Sequence, residues 1–91
     1  MRLLDIKPGD VYRTNLEGGG DRWIYKDPSR PSSRCDSFIS SEDEFMVLKM
    51  DSSDSAFLCI QIIGISRELF GWIWLPRNTD TTILTWTKMN P

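Results

Sequence analysis

The chain contains no histidine, and this absence excludes several kinds of active site. A Ser–His–Asp triad, a Cys–His nucleophile pair and a zinc site with a histidine ligand all need an imidazole. A phosphate-binding loop is also missing, because the three glycines at 18–20 are not followed by the Gly-Lys-Ser/Thr of that motif. We therefore expect no catalytic residue, no metal and no cofactor.

Only two cysteines occur, which is too few for a disulfide framework. Cys59 lies inside the apolar run FLCI, where a thiol usually serves as a small buried side chain. Cys35 lies in a segment rich in serine and arginine. Nothing in the spacing favours a bridge, and we expect both thiols to be reduced.

Long apolar runs are absent as well. The longest is far shorter than the ~20 residues that a membrane-spanning helix needs. The first residues, MRLLDIKPGD, carry charges and a proline where a signal peptide has its apolar region. These features predict a cytoplasmic protein without membrane contact.

Neither sign of charge is in large excess, since 11 basic and 13 acidic residues give a net charge of −2. General binding to duplex DNA needs many lysines and arginines that neutralise phosphates, so it is not predicted. Residues 1–40 hold seven basic and six acidic residues, a balance of +1, whereas residues 41–91 hold four and seven, a balance of −3. A local basic site in the first half is therefore compatible with the sequence.

The sequence does contain a series of short apolar runs typical of strands. Four of them, at 44–50, 56–63, 69–75 and 83–89, follow one another at near-regular spacing. A Pro-Gly turn precedes a strand at 10–15, and the alternation at 22–26 predicts a return strand, which together give an irregular hairpin. Residues 27–41 include two prolines and six serines and are interpreted as a long surface loop. We expect one all-β domain spanning residues 1–91.

The order of these elements resembles the SH3-like small barrel, with a first strand, a long decorated hairpin, three meander strands and a last short strand. The segment 71–78 (GWIWLPRN) is similar to the Gly-aromatic-apolar-Pro-x-Asn end of eukaryotic SH3 domains, lengthened by two residues. The resemblance implies an antiparallel barrel of five to six strands with a long loop after the first strand. Thr79 stands where that family has a ligand-contacting tyrosine, and Ala56 and Phe57 stand where its paired tryptophans begin a strand. The usual polyproline-binding groove is therefore not implied.

A second, shorter resemblance concerns the MazF/PemK-type toxin endoribonucleases, which share the barrel. It rests on the GDVY sequence at 9–12, which is followed by a glycine-containing loop as at the start of those enzymes. They continue with an Arg-Pro pair and a Val-rich strand, whereas the Arg-Pro pair at 30–31 here precedes Ser-Ser-Arg. An endoribonuclease is accordingly the last of three functional hypotheses.

Alternation within the strands predicts which side chains form the core. Ile73 and Leu75 compete with Trp72 and Trp74 for the inner side of one strand, so at least one of these tryptophans is expected to be partly exposed. Trp86 is expected in the core. The other predicted core residues are Val11, Met46, Leu48, Leu58, Ile60, Ile62, Ile73, Leu75 and Leu84.

Four tryptophans in 91 residues are several times the usual share, and exposed aromatic residues are enriched in binding surfaces. The first hypothesis is a non-catalytic protein–protein interaction or assembly module, an accessory protein of bacterial or phage origin. Its partner is expected to be another protein or a second copy of the chain. The candidate partner-binding residues are Trp23, Tyr25, Arg30, Arg34, Trp72 and Trp74.

The second hypothesis is binding of single-stranded nucleic acid, in which bases stack on aromatic side chains and basic side chains follow the backbone. The basic residues of the first half that would do so are Arg13, Arg22, Lys26, Arg30 and Arg34. The acidic total places this hypothesis behind protein binding.

Overall fold

In the part of the chain that the structure describes, seven antiparallel strands form a single sheet. The computed structural model describes residues 6–14, 22–27, 34–40, 42–77 and 86–90. In chain order, the strands are β1 Val11–Arg13, β2 Arg22–Tyr25, β3 Arg34–Ile39, β4 Glu44–Asp51, β5 Phe57–Gly64, β6 Phe70–Pro76 and β7 Thr87–Lys88. Across the described ranges there is no helix, and hence none with the length and apolar character to cross a membrane. The predicted all-β class is confirmed, and the described residues form seven strands where five to six were expected.

The strands lie in the order β3-β2-β6-β5-β4-β1-β7. β4, β5 and β6 form the three-stranded meander that the sequence predicted. β1 lies between β4 and β7, and the side chain of Asn90 reinforces this junction. Its Oδ1 accepts the N–H of Val11 at 2.8 Å, and its Nδ2 donates to the carbonyl oxygen of Gly9 at 3.1 Å. Residues 9–11 and residue 90 are thereby joined at one edge of the sheet.

Two predictions of topology were wrong. The strand at 10–15 does not form a hairpin with the strand at 22–26, because β2 pairs with β3 and β6 instead. The segment 27–41 is not a loop throughout, since β3 occupies part of its second half. β3 has little apolar periodicity of its own, and its pairing with β2 defines it as a strand. Of the predicted strand at 83–89, the described part is β7, and Leu84 lies outside the described residues.

The core is one cluster of inward-facing side chains that includes residues from both ends of the sheet. The sheet therefore curves around a common interior. The predicted core residues of β5 and β6, and the predicted burial of Trp86, are confirmed. The cluster consists of Ile6, Tyr12, Ile24, Ile39, Phe45, Val47, Leu58, Ile60, Ile62, Leu69, Ile73, Leu75 and Trp86.

The core-facing side of β4 was predicted wrongly. Phe45 and Val47 are fully buried, whereas Met46 and Leu48 are only half-buried. Apolar residues occupy both sides of this strand, so alternation alone did not distinguish them. The aromatic ring decides the orientation, because Phe45 packs edge-on against the core indole of Trp86 at 5.2 Å between ring centroids.

β1 was likewise predicted with the wrong side inward, since Tyr12 is fully buried and Val11 is half-buried. Tyr12 suits the core because its hydroxyl donates to Oδ2 of Asp10 at 2.8 Å. Burial by itself would raise the pKa of Asp10, but this hydrogen bond, the N–H of Lys7 and the ammonium of Lys88 outweigh it. They hold the pKa of Asp10 below its ordinary value.

A second buried carboxylate belongs to Asp43, just before β4. This residue links its own segment to three others. Arg67, in the turn between β5 and β6, donates Nε and Nη2 to its two oxygens at 3.0 and 2.9 Å. The N–H of Ser40, after β3, donates to Oδ2 at 2.7 Å, and Thr14, after β1, donates its N–H to the Asp43 carbonyl oxygen at 3.0 Å. Burial opposes ionisation, but the guanidinium of Arg67 and the N–H of Ser40 keep the pKa of Asp43 below its ordinary value.

Ile60 and Ile63 lie on opposite faces of β5, so truncating each to alanine should lower the free energy of unfolding by unequal amounts. Ile60 is fully buried, so Ile60→Ala should lower the free energy of unfolding by ~2–5 kcal/mol through lost transfer energy and a residual cavity. Ile63 lies on the same strand with 39% of its surface exposed, so Ile63→Ala should cost less than ~1 kcal/mol. Urea denaturation measures both values, and equal losses would contradict the orientation of β5.

Candidate functional site

Two tryptophans lie on the outer face of β6. Trp72 and Trp74 alternate with Ile73 and Leu75, which point into the core. Both tryptophans are half-buried. The prediction that at least one of them is partly exposed is confirmed.

β2 brings two further aromatic side chains to this face. Ile24 is fully buried in the core, so its neighbours Trp23 and Tyr25 lie on the outer side. Tyr25 is directly opposite Trp72 in the register of β2 and β6, and Trp23 is 42% exposed. β5 adds Phe57 beside them. The aromatic cluster, as we name this surface, comprises Trp23, Tyr25, Phe57, Trp72 and Trp74.

Trp74 lies at the centre of the contacts within the aromatic cluster. Its ring stacks on Tyr25, with centroids 4.6 Å apart and planes inclined by 14°, and Phe57 packs against it at 5.5 Å. The indole Nε1 of Trp74 is buried and has no hydrogen-bond partner among the described residues. Because buried N–H groups nearly always have an acceptor, this donor marks a position where a ligand could supply one.

Cys59 lies directly opposite Trp74 in the register of β5 and β6. Its predicted role as a small buried side chain is confirmed, since only 3% of its surface is exposed. Burial raises the pKa of the Cys59 thiol to about 11, and the carboxylates of Asp51 and Asp54 act in the same direction. The thiol is therefore protonated at neutral pH and unsuited to nucleophilic chemistry.

The close approach of β2 to β6 depends on Gly71. This residue has a φ of +149°, which side chains rarely adopt. A Cβ added there would clash with Cγ2 of Ile24 and would lie 2.8 Å from the carbonyl oxygen of Tyr25. Glycine at this position thus allows β2 to dock and to bring its aromatic side chains over β6.

The structure describes the two predicted arginines, Arg30 and Arg34, less fully than the four predicted aromatic residues. Arg34 begins β3 and is directly opposite Tyr25 in register, so its backbone adjoins the aromatic cluster. Arg30 lies outside the described residues. Phe57 was missed as a surface residue, although its position two residues before Cys59, on the same side as Gln61, was a usable signal.

Comparison with known proteins gives no match: no protein-family model, curated protein or solved structure matches this chain.

Gly71→Ala should destabilise the protein more than the matched change Gly9→Ala. Both positions have positive φ, at +149° and +93°, so each alanine is expected to cost ~1–3 kcal/mol in backbone strain. Gly9 has open space around it, whereas Gly71→Ala also pushes β2 away from β6, which adds ~1–3 kcal/mol. Thermal or urea unfolding measures the difference, and equal losses would refute the close packing of β2 on Gly71.

Cys59 should react slowly with a thiol reagent in the folded protein. With a pKa of about 11, only about a thousandth of the thiol is ionised near pH 8. A Cys35→Ser variant isolates the Cys59 signal, and labelling by Ellman's reagent should be at least ~100-fold slower without urea than in urea. Equal rates under the two conditions would contradict the burial of Cys59.

Proposed function

We propose that this protein is a non-catalytic interaction module that binds another protein through the aromatic cluster. The observation that carries the proposal is the outward-facing group of aromatic side chains, in which Trp23 is 42% exposed and Nε1 of Trp74 has no acceptor among the described residues. Tryptophan and tyrosine are the residues that most often supply large binding energies at interfaces. They combine apolar surface with a polar group that needs a partner.

The side chains of the aromatic cluster indicate what chemical groups a partner protein would offer. The exposed indole of Trp23 offers apolar contact, and Nε1 of Trp74 needs an acceptor such as a peptide carbonyl oxygen. The stacking of Tyr25 on Trp74 holds both rings in place, so little side-chain freedom is lost on binding. An apolar side chain next to a free carbonyl group in a partner protein fits these requirements.

Support for an SH3-like scaffold comes from the strand order. Without β2 and β3, the order is β7-β1-β4-β5-β6, in which the last strand lies beside the first and three meander strands follow. The β2–β3 hairpin then occupies the position of the long decorated loop after the first strand, and extends the sheet beyond β6. The proposed scaffold would thus carry its aromatic cluster where an inserted hairpin meets the meander.

A protein partner is placed ahead of single-stranded nucleic acid because the chain has a net charge of −2, and three of its basic side chains are engaged within the fold. Arg67 forms an ion pair with Asp43, and Lys88 lies 3.4 Å from a carboxylate oxygen of Asp10. Arg77 donates to backbone carbonyl oxygens of the turn between β4 and β5 at 3.0 and 3.1 Å. These three cations, all in the second half of the chain, are engaged within the fold, so a nucleic-acid site would depend on the basic residues of the first half.

The test compares Trp23→Ser with the matched control Ile65→Ser, since both residues are exposed and only Trp23 belongs to the aromatic cluster. Proteins recovered from host-cell lysate by each tagged variant are quantified, and the selected partner is purified for calorimetry. Trp23→Ser should weaken binding by about tenfold or more, because interface tryptophans often dominate affinity, while Ile65→Ser should leave it unchanged. Circular dichroism should find both variants folded.

Two results would overturn this function. One is the absence of any protein whose direct binding distinguishes the two variants. The other is binding to a mixed-sequence single-stranded oligonucleotide with a steep salt dependence, which would instead support the nucleic-acid hypothesis.

A further inference from the structure

A second apolar surface crosses the outer face of the sheet beside the aromatic cluster. In the strand register, Val11 is opposite Met46, Met46 is opposite Ile63, and Ile63 is opposite Phe70. Directly opposed residues of antiparallel strands point to the same side, so these four side chains form a row across β1, β4, β5 and β6. We name this row the apolar stripe.

The apolar stripe is exposed at its β5–β6 end. Phe70 is 59% exposed and Ile63 is 39% exposed, while Ile65 adjoins them in the following turn with 56% of its surface exposed. An antiparallel sheet that covers its core with one face normally presents polar residues on the other. A contiguous apolar row on the outer face is instead typical of a surface that another molecule covers.

Charged residues border the apolar stripe on both sides along β4. Glu44 and Lys49 are the outward positions that flank Met46 along β4. Lys49 faces outward because the register shift between Val47 and Lys49 places it opposite Gln61, on the outer face. Glu44 lies on one side of the row and Lys49 on the other. Along β4 the border is therefore negative at one position and positive at the other, while in the register Arg13 lies opposite Glu44, and Gln61 and Trp72 continue the Lys49 border.

We propose that a second copy of this chain covers the apolar stripe, in a face-to-face dimer whose two-fold axis runs along the stripe. Because the sheet curves, a rotation of 180° about that axis brings the middle of the row, Met46 and Ile63, most closely against its own copy and exchanges the two borders. Glu44 of one protomer then lies against Lys49 of its partner, and the reverse contact forms at the same time. The apolar stripes of the two protomers thus pack against each other, while the charge pairs fix the relative orientation of the protomers.

The size of the apolar stripe sets the expected affinity of the dimer. Four strands spaced ~4.8 Å apart, with the bordering side chains, give a contact about 20 Å across. Such a contact corresponds to the lower end of specific interfaces, below ~1,200 Å² in total, where complexes are weak and reversible. We expect a dissociation constant on the order of 10–100 µM.

Analytical ultracentrifugation over a concentration series tests the dimer through its charged borders. Lys49→Glu places an acidic side chain against Glu44 of the other protomer at both symmetry-related contacts, and should weaken dimerisation by about tenfold. The double change Glu44→Lys with Lys49→Glu exchanges the borders and should restore dimerisation to within about threefold of the original. Because both residues are on the surface, circular dichroism should show folded variants.

A pair of further variants separates this surface from the aromatic cluster. Ile63→Glu places a charge in the self-facing row and should abolish the dimer, whereas Trp23→Ser should leave the dissociation constant unchanged. A wild-type protein that stays monomeric up to millimolar concentration would overturn the proposal. Failure of the double charge exchange to restore dimerisation, or equal loss with Trp23→Ser, would overturn it as well.

Discussion

The aromatic surface of this protein depends on one backbone contact, the docking of β2 against β6 at Gly71. A side chain at this position would clash with Ile24 and lie too close to the carbonyl oxygen of Tyr25. With glycine there, Ile24 enters the core, and the alternation of β2 turns Trp23 and Tyr25 outward. Burial of one isoleucine thus fixes the position of two aromatic residues on the opposite side of the same strand.

The same docking explains why the outer face of the sheet carries aromatic residues in contact. Tyr25 reaches Trp74 only because β2 has joined the edge of the meander, and Trp74 in turn covers Cys59. A hairpin inserted after the first strand therefore does more than lengthen the sheet. It supplies two of the five residues of the aromatic cluster, and one of them, Tyr25, stacks on the tryptophan that lies opposite the buried Cys59.

Sequence reasoning reached the fold class, the meander and the partial exposure of the tryptophans of β6, because these leave strong local signals. The apolar runs of β5 and β6 alternate clearly, and tryptophans beside buried aliphatic residues indicate an outer face. It failed where the deciding contact is distant in sequence. The choice between Phe45 and Met46 depends on the ring of Trp86, and the existence of β3 depends on β2 as its partner.

The contact between Asn90 and β1 has a consequence for the order in which the chain folds. Asn90 bonds to Val11 and Gly9 across 79 and 81 residues of sequence, respectively, so the first strand is completed only by residues near position 90. During synthesis, the meander β4–β6 emerges before that partner exists and has mainly local pairings to form. Closure of the long loop between residues 11 and 90 is then the late, entropically demanding step, and β1 keeps an incomplete edge until it occurs.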